Sequence, residues 1–344
     1  MKRLLTTCML LVAVLYCCHA QGVRRWSEGL PDWNGFEVAD VTDSVSSYAS
    51  FSLVKDSKVV RTPEATYRYI GVTGVLLPYQ SRVRSDSKTE AELESIRREF
   101  DILEYFARQY QDYLLFATDG KRLLEKYYIS RFQEAREAAR RTGDYSKYPL
   151  SDEPFDILDI NFIAKEEYLG VSFGLFANQP FGDQGRLLFP TAGASLGFEL
   201  GQGRNALQTE FNLGMGFYRL QLYDLIRKPV PYLSLFAAYR RELLDAGKWR
   251  MSLYGGPGFT LRRFQHIDNS LKTVGGPALC EGICADLHTG RNIIFGVPKP
   301  IQSDSFVRLK LSLSQTYNLA QKKVVPAVTF SAGIHFQNHA IDRL

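Results

Sequence analysis

The chain has 344 residues, with 42 lysines and arginines against 37 acidic residues and a formal net charge of +5. The two signs are interspersed, so no basic surface for nucleic acid is expected, and the length points to two domains. Aromatics make up 13% of the residues, which suits the girdles of a membrane barrel or a soluble aromatic core.

Lys2 and Arg3, the short apolar run 4–15 and Cys18-His19-Ala20 read as a secretory signal over residues 1–20, cleaved before Gln21. The run is too short to cross a bilayer as a helix. Cys17 and Cys18 raise the question of lipidation, although Tyr16 stands where a small residue is expected. With the signal removed, Cys280 and Cys284 remain. An even pair in an exported protein is expected to form a disulfide. A metal site built from this pair and His288 would lack a fourth ligand.

Residues 21–143 read as an α+β domain. Trp33-Asn34-Gly35-Phe36 is a turn flanked by aromatics, and 50–54 and 66–77 carry strand-forming residues. Ser87 or Thr89 can cap a helix whose first turn holds Glu90 and Glu92. Leu93, Ile96, Phe100, Leu103, Ala107, Tyr110 and Leu114 then form one apolar stripe. A second helix is expected over 119–141, stopped by Gly143, and 144–166 is expected to be a linker.

This half resembles the DUF922 family of secreted, zinc-dependent protease-like domains. The resemblance rests on the Trp33–Phe36 opening, the strand 69–78 and the run Glu99-Phe100-Asp101-Ile102-Leu103-Glu104-Tyr105-Phe106-Ala107-Arg108. In that family a His-Glu-x-x-His motif precedes a Phe-Asp-Ile segment. Carried over, the ligand positions fall on Ser95 and Glu99 and the general base on Ile96. Serine is a poor zinc ligand and isoleucine cannot take a proton. The resemblance therefore implies a fold kept without its site: no catalytic residue, metal or cofactor, and work that consists of binding a periplasmic protein or peptide. Arg97, Arg98 and Arg108 form the candidate docking face, with an ordinary solvated helix surface as the alternative.

From residue 167 the period changes to two. Ala194, Leu196, Phe198 and Leu200 alternate with Ser195, Gly197 and Glu199; Leu207, Phe211, Leu213 and Met215 alternate with Gln208, Glu210, Asn212 and Gly214. The apolar set is bulky and continuous, while the polar set is small or charged. That sidedness is expected of an antiparallel transmembrane β-barrel over 167–336, with lipid outside. Eight strands are expected, at 167–178, the hairpin 192–217, 231–241, 248–263, 290–298, 305–317 and 324–336. A bulge is expected at the Gly255-Gly256-Pro257-Gly258 run, and 337–344 is expected to be a tail beyond Phe336. Eight strands leave a lumen just wide enough for side chains. Glu199, Glu210, Arg240, Arg250, Arg308 and Lys310 are therefore expected to form an ion network inside it.

Connections at 201–205, 243–247 and 299–304 are shorter than those at 178–190, 219–230 and 264–289, although 318–323 is shorter than its place in the series predicts. This alternation puts both barrel ends in the periplasm of a diderm bacterium, the N-terminal domain with them, and the Cys280–Cys284 loop outside. The C-terminal half in this respect resembles small bacterial outer-membrane barrels. Two other readings stay open. One is an enzyme, either a divergent hydrolase or a lipid-modifying barrel using His266, His288 or His335. The other is a secreted soluble carrier.

Overall fold

A computed structural model describes residues 23–29, 31–34, 36–39, 47–116, 124–150, 153, 155–218, 229–265, 271–296 and 299–344. The expected signal segment with Cys17 and Cys18, residues 119–123 of the second expected helix, and His266 lie outside the described residues. The chain divides into two compact units: residues 1–60, 68–160 and 295–298 form one, and 61–67, 161–294 and 299–344 the other.

The first unit contains strands β1 (Arg24–Arg25), β2 (Glu37–Ala39), β3 (Ser47–Tyr48), β4 (Phe51–Arg61), β5 (Thr66–Leu76) and β6 (Arg82–Arg84), followed by helices α1 (Glu90–Phe116) and α2 (Leu124–Thr142). β5 pairs with β1 and β4, and β6 pairs with β2 and β3. Thr89 caps α1, its hydroxyl accepting the Glu92 N–H at 3.2 Å, and Glu90 and Glu92 sit at the positive end of the helix. The apolar stripe is buried from Leu93 to Tyr110. It packs with Phe132, Ala135 and Ala139 of α2 and Leu53, Val72 and Leu76 of the sheet.

Gln111 fastens α1 to β5 by donating to the Ile70 carbonyl at 2.9 Å and accepting the Val72 N–H at 2.5 Å. Gly74 permits the close approach, since a Cβ there would lie 2.9 Å from the Leu103 side chain. α2 ends where the glycine signal placed it, with Gly143 at φ 68° and its N–H on the Ala139 carbonyl.

The second unit holds β7 (Phe162–Pro180), a short helix α3 (Gly182–Leu187), β8 (Thr191–Gln202), β9 (Asn205–Gly216), β10 (Val230–Asp245), β11 (Trp249–Gln265), β12 (Leu271–Ile294), β13 (Ile301–Asn318) and β14 (Lys323–Arg343). Each strand pairs antiparallel with the next, and β14 pairs with β7. The ladder thus returns to its first strand without a free edge. Leu175, Leu200, Leu207, Leu213, Leu279, Leu311, Phe330 and Ile334 face outward and are exposed, whereas Glu199, Gln208, Asn212, Arg240, Asp286, Arg308 and Lys310 are buried inside.

Several sequence boundaries are corrected. The expected loop 264–289 and strand 290–298 are replaced by one long strand, β12, which holds register with β11 from Gln265↔Leu271 to Trp249↔Leu287. Its outward row carries Pro277 and an exposed Glu281 between Leu279 and Ile283, and these broke the apolar alternation. No bulge interrupts Gly255–Gly258 on the β12 side, where Pro257 pairs with Leu279 in unbroken register. A Cβ on Gly256 would meet the Ala237 carbonyl and one on Gly258 the Phe236 ring, so these glycines serve close strand approach. The expected tail is strand: β14 runs past Phe336 to Arg343, paired with the first residues of β7, which fall within the expected linker 144–166. The end holding 203–204 and 246–248 has tight turns, but 266–270 and 319–322 at the other end are short as well, so the length alternation is weaker than expected.

Leu103 is fully buried beneath Gly74. Leu103→Ala is expected to destabilise the first unit by about 2–5 kcal/mol, read as an earlier urea transition of Trp26 and Trp33 fluorescence, with the heat resistance of the second unit unchanged.

Candidate functional site

Alternation delivers one charged side chain from each of four strands to the same level of the lumen. Glu199 on β8 accepts Arg240 Nη2 at 2.6 Å and Arg308 Nη1 at 2.8 Å. Asp286 on β12 accepts Arg240 Nη1 at 3.1 Å and Arg308 Nε and Nη2 at 2.7 and 2.8 Å. Two acids and two guanidinium groups thus alternate in a closed square. Tyr168 completes it, donating to Glu199 at 2.6 Å and accepting from Arg240 at 2.8 Å. His335 Nε2 lies 3.9 Å from Glu199.

A second pair, Lys310 and Glu210 at 2.7 Å, is braced by Gln208 and Asn212. Arg250, expected in the network, lies apart from both clusters. It pairs with Asp245 at 3.2 Å, donates to Gln337 and stacks on Phe306. Asp286 and Tyr168 escaped the sequence reading, Asp286 because it was assigned to a loop. Burying charges is repaid only by such complete pairing. The spaces beside the clusters are about 20 and 10 Å³, room for single waters.

Cys280 and Cys284 are buried free thiols, which corrects the expected disulfide. They point inward four residues apart on one strand, about 13 Å by strand rise, beyond the reach of an S–S bond. His288 follows on the same strand, 3.4 Å from Asp304, so these three side chains are spread along β12 rather than gathered.

The first unit carries a cleft of about 160 Å³ between β5 and α1, whose lining includes Trp26, Lys58, Tyr69, Glu104, Arg108 and Phe155. Glu104 accepts the Gly74 N–H at 2.8 Å and contacts the Thr73 hydroxyl and Arg108. Burial nonetheless pushes its carboxyl above the ordinary range, outweighing those hydrogen bonds and the Arg108 charge. Burial, helped by Asp156, raises the Tyr69 phenol as well. Arg108 stacks over Trp26 at 5.0 Å, and Arg25 pairs with Asp56 at 2.5 Å. Aromatic walls with charges of both signs suit a mixed polar and apolar segment.

The three carried-over metal positions all have structural employment. Ser95 bonds Tyr145 at 3.1 Å, Ile96 is core, and Glu99, fully buried, is held by Arg136 at 2.7 Å and by Arg140. The expected docking arginines diverge. Arg97 binds the Pro31 carbonyl and Glu90, Arg98 pairs with Glu94 over Tyr145, and Arg108 turns into the cleft.

No family model matches the chain, so the DUF922 resemblance has no support beyond the residues that suggested it, and no curated protein matches. Solved structures similar to it are Ail, the attachment invasion locus protein of Yersinia pestis (14% identity, TM-score 0.34, 50% of this chain and 99% of that chain), the N-terminal β-barrel domain of Pseudomonas aeruginosa OprF (14%, 0.30, 51% and 99%) and the outer membrane protein AlkL (13%, 0.26, 57% and 98%).

Asp286→Ala leaves Arg240 and Arg308 sharing one carboxylate. It is expected to cost about 3–5 kcal/mol in guanidinium unfolding of the detergent-folded protein, with Asp286→Leu combined with Arg308→Met recovering part of the loss. Glu104 has a raised folded pKa, so its protonated form favours the native state. Stability from this group is full below the ordinary glutamate value of about 4.3 and falls as pH rises through the folded value. Glu104→Gln is expected to flatten that fall in a pH series of urea titrations.

Proposed function

We propose that this protein is an outer-membrane β-barrel of a diderm bacterium that holds its N-terminal α+β unit in the periplasm as a binding module, without catalysis of its own. The observation that carries this reading is sidedness. A belt of exposed leucine, phenylalanine, isoleucine and methionine side chains rings the strands, and the enclosed side is charged and hydroxylated. Each such side chain gains about 1.5–3 kcal/mol on leaving water, and a belt of this extent exceeds the few hundred Å² that soluble monomers tolerate. The shortest strands of the second unit, β8 and β9, have 12 residues, enough for the roughly 9–11 that cross a bilayer.

A soluble carrier would need the reverse arrangement, with a hollow apolar interior. The ion square and the Lys310–Glu210 pair fill the lumen, which favours an anchor over a conduit. The chain enters β7 at the end that carries the tight turns 203–204 and 246–248. Such turns are periplasmic in barrels of this kind, and on this ground the N-terminal unit is assigned to the periplasm. Its aromatic and charged cleft is the assigned binding surface, for a protein or peptide segment.

The protein is expected in the outer-membrane fraction with heat-modifiable migration on gels and without conductance steps in planar bilayers. Recovery in the soluble wash would contradict the reading. A photo-crosslinking residue at Lys58 is expected to give a discrete periplasmic adduct that Trp26→Ala reduces at least several-fold; a pattern unchanged by that substitution would remove the cleft from the account.

A further inference from the structure

The square satisfies Arg240 and Arg308, and Glu210 satisfies Lys310, but another lumenal cation belongs to neither cluster. Arg262 on β11 is only 7% exposed. Its Nη2 donates to the Asn178 side-chain carbonyl, and its guanidinium lies 5.0 Å from the centre of the Tyr232 ring. Its Nη1, buried, has no hydrogen-bond partner among the described residues, and none of their carboxylates pairs with it. Among the described residues, Arg240, Arg250, Arg308 and Lys310 are each matched to an acid within 3.2 Å. An arginine cannot escape burial by losing its proton, so this charge calls for an anion.

A cavity adjoins it. The space is about 20 Å³, and its lining includes Arg262, Tyr232, Thr260, Ser314, Thr316 and Asn178. The Thr260 and Thr316 hydroxyls are 2.9 Å apart and share one hydrogen bond, which leaves one of their two protons to donate elsewhere. The Asn178 carbonyl is already taken by Arg262, and its amide donates to Thr329 at 2.7 Å. Arg262 and the Thr260–Thr316 hydroxyl pair therefore line the space, and no carboxylate of the described residues does. The space suits one water-sized particle.

We propose that this cavity, at the end of the lumen adjoining 266–270, is a binding site for a monovalent anion of chloride size. The anion completes the charge pairing of the interior where the described residues supply no acid. Water would satisfy Nη1 but leave the charge uncompensated.

The test uses the full chain folded in detergent, with sodium gluconate replaced by sodium chloride at constant ionic strength. The unfolding midpoint is expected to rise by about 2–4 °C to a plateau once chloride is well above its dissociation constant. Arg262→Gln is expected to abolish the rise, while Arg250→Gln, which removes an acid-paired lumenal arginine, keeps it. Should Arg262→Gln fail to fold, bromide-soaked wild-type crystals decide: an anomalous peak within hydrogen-bond distance of Arg262 supports the site, and an empty or water-filled cavity overturns it. A wild-type midpoint indifferent to chloride, or an equal rise in Arg262→Gln, overturns it too. Neither result bears on membrane location, which fractionation reads separately.

Discussion

Four charges sharing one level of a narrow interior set the terms for the second unit. Glu199, Arg240, Asp286 and Arg308 come from four different strands, and each has opposite charges on two sides. Removing one would strand its neighbours as buried charges without their partner. The square therefore presupposes the register of β8, β10, β12 and β13, because a slip of one residue in any of them would turn its charge to the outer face. The same alternation that carries charges inward carries leucines outward. Polar lumen and apolar belt are two consequences of one period.

That period was readable wherever both faces obeyed it. The hairpin from Thr191 to Gly216 and strands β10, β13 and β14 follow it closely, and Glu199, Glu210, Arg240, Arg308 and Lys310 were placed inside on that basis alone. Reading failed where a strand carried residues that punctuate loops. In β12 the glycines at 275, 276 and 282, Pro277 and the outward Glu281 imitate a connection, and with β12 went Asp286, the fourth corner of the square. Arg250 shows a different limit. It does point inward, but which acid it meets depends on position along the lumen, and pattern does not encode that. The cysteines were misjudged for the related reason that a pair near in sequence is close in a loop and distant along a strand.

The helical unit was legible in its apolar stripe, its Thr89 cap and its Gly143 stop, since these are local signals. Its cleft was not, because Trp26, Tyr69, Phe155 and Glu104 come from four separated segments that only packing unites. Glu99 illustrates how chemistry can be reassigned: a carboxylate in a position suggestive of a ligand is spent instead on joining α1 to α2 through Arg136 and Arg140. Glu104, one turn further on, is the carboxylate that keeps an opening beside it.

The central claim is that the outer face of the second unit meets lipid. Nitroxide labels placed singly at positions 207, 213, 253, 311 and 334 of the protein in bilayers measure it directly through their collision rates with oxygen and with a water-soluble nickel complex. The account predicts strong relaxation by oxygen and weak relaxation by nickel at all five. Nickel dominating at these positions would contradict it.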